Sequence, residues 1–79
     1  MGIWIRSQDK EMIINCYALE IDLGDGKSIC SNGYVLGTYS TKEKALKVLD
    51  MIETHLEELE YKIHDREVVF KMPQDNEVK

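Results

Sequence analysis

A chain of 79 residues with 43% hydrophobic and 32% charged side chains has the size of one small domain and the composition of a globular protein rather than a disordered one. Its net charge of −5 and the lack of clustered lysine and arginine exclude an extended stripe for duplex DNA or RNA. No apolar run approaches the roughly 20 residues that span a bilayer.

The opening residues lack the basic-then-apolar order of a signal peptide, so a cytoplasmic protein is expected. Cys16 and Cys30 sit in apolar runs without CxxC spacing, which reads as two buried thiols in a reducing compartment. A core this small ordinarily leans on a disulfide, a metal or a partner subunit, so a homodimer or higher oligomer is expected.

Residues 2–7 and 12–22 carry Ile, Trp, Tyr, Leu and Cys at strand density, with "SQDK" between them as a turn. "LGDGKS" follows, where Asp25-Gly26 signals a hairpin. A short strand "SIC" then meets Asn32-Gly33, a type I′ candidate, and "YVLGTYS" continues as the fourth strand. If both turns have two residues, Ile21 pairs with Cys30 and Cys30 with Val35. Ile13, Tyr17, Leu19, Ile21, Cys30 and Val35 then share the core face, while Met12, Ile14, Cys16, Ala18, Ile29 and Leu36 share the other.

Ser40 followed by Glu43 has the form of a capping box, and Ala45, Leu49, Ile52, Leu56 and Leu59 recur at helical spacing, widened by Leu46 and Val48. One helix of about 20 residues is expected to cover the core face. "YKIHDRE" breaks the pattern, "VVFKM" reads as a last strand, and Pro73 ends it. The expected fold is α+β: an antiparallel four- to five-stranded sheet with one helix on one face, order ββββαβ. A single domain spans 1–73, and 74–79 is a polar C-terminal tail.

Charge is uneven along the chain. Acidic and basic residues balance over 1–49, whereas 50–79 hold nine acidic against four basic and carry the whole net charge. Lys42, Lys44 and Lys47 fall near the positive end of the helix dipole, and Glu53, Glu57, Glu58 and Glu60 crowd the negative end. That arrangement reads either as a solvated face, eased by the Glu43–Lys47 pair, or as an anion site at the helix N-terminus.

Catalytic signatures fail one by one. "GDGKS" lacks the earlier glycine of a phosphate loop, since Ile21 stands there. His55 and His64 have no Cys or carboxylate at zinc-like spacing and read as surface histidines. No GxSxG occurs, and neither Ser7 nor Cys16 has a histidine base visible in sequence. The carboxylates of the helix end read as solvated charge rather than a glycosidase pair. The expectation is no enzyme, no metal and no cofactor.

"WIRSQ" at the N-terminus and "LGTYSTKEKALKVLDMI" further on resemble a family of short proteins encoded by phages and other mobile elements of Gram-positive bacteria. Its members begin Trp-Ile-Arg-Ser-Gln and place Leu-Gly-x-Tyr-x-Thr before an Ala-x-x-Val-Leu helix. The resemblance implies a counter-defence protein in the host bacterial cytoplasm. Such a protein would sequester a small nucleotide immune signal, a cyclic nucleotide or an ADP-ribose type, at a subunit interface without catalysis.

The residue types suit that role. Trp4, Tyr34 and Tyr39 can stack a base, Arg6, Lys42 and Lys44 can hold phosphates, and Ser7, Gln8 and Thr41 can bond to ribose or base edges. Each also has a plain structural reading. Trp4 suits a core anchor, Arg6 a pair with Glu20 or Asp22, Gln8 and Asp9 a turn, Thr41 a share of the Ser40 cap, and Tyr39 a hydrophobic staple. The alternative function is a stoichiometric inhibitor that presents its acidic helix end to a defence or nucleic-acid-handling protein.

Overall fold

The computed structural model describes residues 2–61 and 69–79, the side chains of 59–61 excepted. Its elements are β1 (Ile3–Arg6), β2 (Ile13–Cys16), β3 (Glu20–Ile21), β4 (Ser28–Ser31), β5 (Tyr34–Thr38), α1 (Lys42–Tyr61) and β6 (Val69–Lys71), followed by a 3₁₀ turn at Asp75–Glu77. The fold is α+β with one helix among the described residues, and none long and apolar enough to cross a membrane. Tyr61 to Glu67, His64 among them, and the Val68 start of the expected last strand fall largely on 62–68, outside the described residues.

Two three-stranded sheets replace the expected single sheet. One has the order β2-β1-β6 and the other β3-β4-β5. The run 12–22 is therefore not one strand: it leaves the first sheet after Cys16 and enters the second at Glu20. The first sheet is also mixed, since β6 runs parallel to β1 with Ile5 beside Phe70, while β2 is antiparallel with Ile5 opposite Ile14.

The core face differs from the expected one at several positions. Cys16, Ile29 and Leu36 are buried, whereas Ile13, Tyr17 and Val35 are exposed; Leu19 and Ile21 are partly buried against the core. Between β3 and β4 the cause is a register shifted by one residue. Asp22 N–H donates to the Ser28 carbonyl and Ile21 pairs with Ile29, so the β3–β4 connection is the five-residue loop 23–27 rather than a two-residue turn at Asp25-Gly26. A slip of one residue exchanges the two faces of a strand.

The second turn has the expected form. Asn32 and Gly33 have φ of 52° and 82°, as a type I′ turn requires, and Ser31 pairs with Tyr34. Cys30 then pairs with Val35 but Ile29 with Gly37, so Leu36 is the extra residue of a β-bulge. The bulge turns Leu36 into the core behind an exposed Val35.

Helix α1 has 20 residues, with its cap one residue later than expected. The Lys44 N–H donates to the Thr41 hydroxyl, and the Ala45 N–H to the Thr41 carbonyl, so Thr41 and not Ser40 caps the helix. Ala45, Val48 and Ile52 are its buried stripe, joined by Leu49; Leu46 and Leu56 are exposed. Those residues meet Ile3, Ile5, Ile29, Leu36 and Phe70 from both sheets in one core. A fully buried isoleucine such as Ile5 contributes about 1.5–3 kcal/mol.

Candidate functional site

β1 alternates strictly: Ile3 and Ile5 are buried, Trp4 and Arg6 are not. Trp4 thus faces outward from the first sheet, 46% exposed. Asn15 and Val69 are its neighbours on the two flanking strands, and Ile13 and Lys71 are those of Arg6. The Arg6 guanidinium donates from Nε and Nη2 to the Lys10 carbonyl, at 3.2 and 2.9 Å, and pairs with neither Glu20 nor Asp22. Lys10 takes a left-handed φ of 67° to close this turn.

Most of the other expected site residues serve the fold. Ser7 is buried: its hydroxyl donates to Asp9 Oδ1 at 2.5 Å and accepts the Met12 N–H at 3.2 Å. With the Glu11 N–H also donating to it, the Asp9 carboxyl lies below its usual range, the Ser7 hydroxyl being the larger cause. Gln8 links the two sheets and the C-terminal segment. Its backbone N–H donates to the Leu36 carbonyl at 2.7 Å, its Oε1 accepts the Thr38 N–H at 3.0 Å, and its Nε2 donates to the Pro73 carbonyl at 3.2 Å.

Tyr39 is 2% exposed and its hydroxyl donates to the same Pro73 carbonyl at 2.9 Å. Burial, then the nearby Asp75 and Glu77 charges, push the phenol well above its usual range. Gly37 leaves room for this cluster: a Cβ there would lie 3.1 Å from the Tyr39 hydroxyl and 3.3 Å from Gln8 Cβ. Tyr34 and Lys42 are exposed, and Thr41 is spent on the helix cap.

At the start of the helix, where an anion site is expected, a carboxylate of the chain itself takes up Lys44. Asp75 accepts the Ser40 N–H at 2.7 Å and the Lys44 ammonium at 3.3 Å, and Lys44 also donates to the Asp75 carbonyl at 3.2 Å. The Ser40 N–H foremost, with Lys44, lowers the Asp75 carboxyl below its usual range. Lys47 donates to the Lys79 carbonyl, Gln74 Nε2 to the Gln8 carbonyl at 2.7 Å, and Val78 is buried in the core. Segment 74–79, expected as a free polar tail, is docked.

Gln8, Tyr39 and Lys44 therefore converge on Pro73 and Asp75, and Trp4 and Arg6 stand apart on the outer face of the first sheet. Sequence reasoning missed Asp75, Pro73 and the Trp4 neighbours Asn15 and Val69. The lone apolar Val78 in an otherwise polar tail was the available signal for docking.

Two expectations about chemistry-bearing residues are refined. His55 is no simple surface residue: its ring meets Phe70 edge-on at 5.4 Å, and its Nε2 is buried without a partner among the described residues. Both cysteines are free; Cys16 is buried, and Cys30 is half-buried with its thiol pushed up by burial and by Asp22, Asp25 and Glu20. The chain matches no protein-family model, no curated protein and no solved structure.

Proposed function

We propose that the protein is a non-catalytic binding protein that sequesters a small phosphorylated nucleotide, on the face carrying Trp4 and Arg6, between copies of itself. The observation that carries this reading is the pair itself. An indole 46% exposed stands one β-repeat from an arginine whose charge has no carboxylate partner among the described residues. An exposed indole offers a stacking surface for a base, and a guanidinium braced by a carbonyl offers a directed donor pair for phosphate.

Affinity comes from stacking and phosphate pairing, and no bond is broken. Together with the resemblance to short phage-encoded proteins, this supports a counter-defence role in which an immune signal is withdrawn from its receptor. Native mass spectrometry with cyclic oligonucleotides, cyclic ADP-ribose types and ordinary nucleotides tests it. The expected result is one ligand retained unchanged in mass and lost in both Trp4→Ala and Arg6→Ala. Parent-like binding by both variants overturns the site.

A second reading has its own observation. Glu43, Asp50, Glu53 and Glu57 are exposed on α1 beside the exposed apolar Met51 and Leu56. That mixture suits a basic protein partner whose own anionic ligand the helix imitates. Reversing Glu53 and Glu57 together should abolish such a complex while leaving nucleotide binding intact.

A further inference from the structure

Among the described residues nothing covers the β2 edge of the first sheet. Ser7 N–H donates to the Met12 carbonyl at 2.8 Å, so in the antiparallel β1–β2 ladder the bonded pairs continue at Ile5/Ile14 and Ile3/Cys16. Ile13 and Asn15 consequently turn their N–H and C=O groups away from β1, toward an edge where no other strand lies among the described residues. Proteins ordinarily blunt such an edge with charge, proline or a covering segment. Residues 12–19, "MIINCYAL", contain none of these.

The other edges with described neighbours are managed. Gln8 caps β5 through the Leu36 carbonyl and the Thr38 N–H, β3 is two residues long, and β6 carries Lys71 and runs into Pro73. The β2 edge also flanks exposed apolar side chains: Ile13 at 50%, paired with Arg6 on the outer face, and Tyr17 at 76% just past the strand end.

We propose that β2 is the subunit interface: two copies pair their β2 strands antiparallel about a two-fold axis at Asn15, joining two sheets into one of six strands. This register lets outward backbone groups of one copy meet outward backbone groups of the other. It sets Asn15 against Asn15 of the second copy and Ile13 against Tyr17 of the second copy, a favourable β-branched–aromatic pair. No charge meets a like charge along the uncharged run.

The pairing stands on the sheet edge; its link to ligand rests on the nucleotide reading, which it deepens. Trp4 lies beside Asn15, so the two-fold lines both indoles up in one row, three strand spacings or about 14 Å apart. Two Asn15 amides lie between them. That row suits a ligand carrying two bases.

Cysteine cross-linking tests the register. Opposed bonded residues lie about 5.5 Å apart at Cα, within disulfide reach. Asn15→Cys should therefore form a dimer on air oxidation that reductant reverses, while the parent, with Cys16 and Cys30, stays uncross-linked. Ile13→Cys lies about 13 Å from its own copy in this register and should not cross-link. Sedimentation of the parent should give twice the 9.2 kDa protomer mass. The exposed substitutions Ile13→Lys and Tyr17→Lys should weaken the dimer at least tenfold with the circular dichroism spectrum unchanged.

A protomer mass at every concentration overturns the proposal, as does equal cross-linking at positions 13 and 15. A β2 dimer that retains no member of the nucleotide panel overturns the nucleotide reading and leaves the interface standing.

Discussion

Replacing Gln8 by alanine removes the Nε2 bond to the Pro73 carbonyl and the Oε1 bond from the Thr38 N–H, at 3.2 and 3.0 Å. Neither partner is stranded: Pro73 keeps the Tyr39 hydroxyl at 2.9 Å, and Thr38 is exposed to water. Each bond then contributes its net value, about 0.5–1.5 kcal/mol, without the further cost of an unsatisfied buried group. The backbone bonds of Gln8 to Leu36 and Gln74 survive, so the expected loss is about 1–3 kcal/mol. For a domain of this size that lowers the melting temperature by about 5–20 °C.

Thermal unfolding by circular dichroism measures the loss, and amide exchange locates it, with the Thr38 N–H gaining most. Gln8→Glu should fall between parent and Gln8→Ala, because it keeps an acceptor for Thr38 and loses the donor to Pro73. A melting point within about 2 °C of the parent, with Thr38 exchange unchanged, would refute the view that the Gln8 side chain ties the sheets together.

Ser31 is 1% exposed with a hydroxyl that has no partner among the described residues; Ser31→Ala should leave stability unchanged or raise it by up to about 1 kcal/mol in urea unfolding, and a clear loss would reveal a missed bond. Asp75 has a lowered carboxyl, so its stabilising contribution is full above its ordinary value of 3.8 and is lost as pH falls through the lower folded value. Asp9 and Asp25 act in the same direction. Melting temperature should hold from neutrality to about pH 5 and decline below about pH 4. Asp75→Asn should lower it at pH 7 and flatten that decline; an unchanged acid limb argues against the docked segment. The single tryptophan, Trp4, should be readily quenched by acrylamide in the absence of ligand, and a shielded emission would place it in a core or interface instead.

Local chemistry accounts for what was legible. The α+β class, the Asn32-Gly33 turn, and one helix of about the right length each depend on neighbours in sequence: φ preferences, cap residues and a repeat of three and four. The resemblance motif is legible in the same way once the structure is known. Leu36 is the bulge residue, Gly37 clears space for Tyr39, and Thr41 caps α1.

The residues expected at one site are divided where some of them bond over distance. Tyr39, Gln8 and Lys44 have the donors a nucleotide would need, and in the fold they donate to Pro73 and Asp75, from about 30 to 65 residues away in sequence. Composition identifies a donor but not which acceptor tertiary packing brings to it.

The sequence by itself determined the α+β class, the Asn32-Gly33 turn, the one long helix, the alternation along β1 and the placement of negative charge in the second half of the chain. Only the tertiary structure decided which face of each strand is core, that run 12–22 divides between two sheets, and that Trp4 points outward. The physical reason is that a strand's faces differ by one residue of register, and register is set by pairing: for β3 and β4 by the five-residue loop 23–27 through Asp22 and Ser28, and for β1 by its two flanking strands.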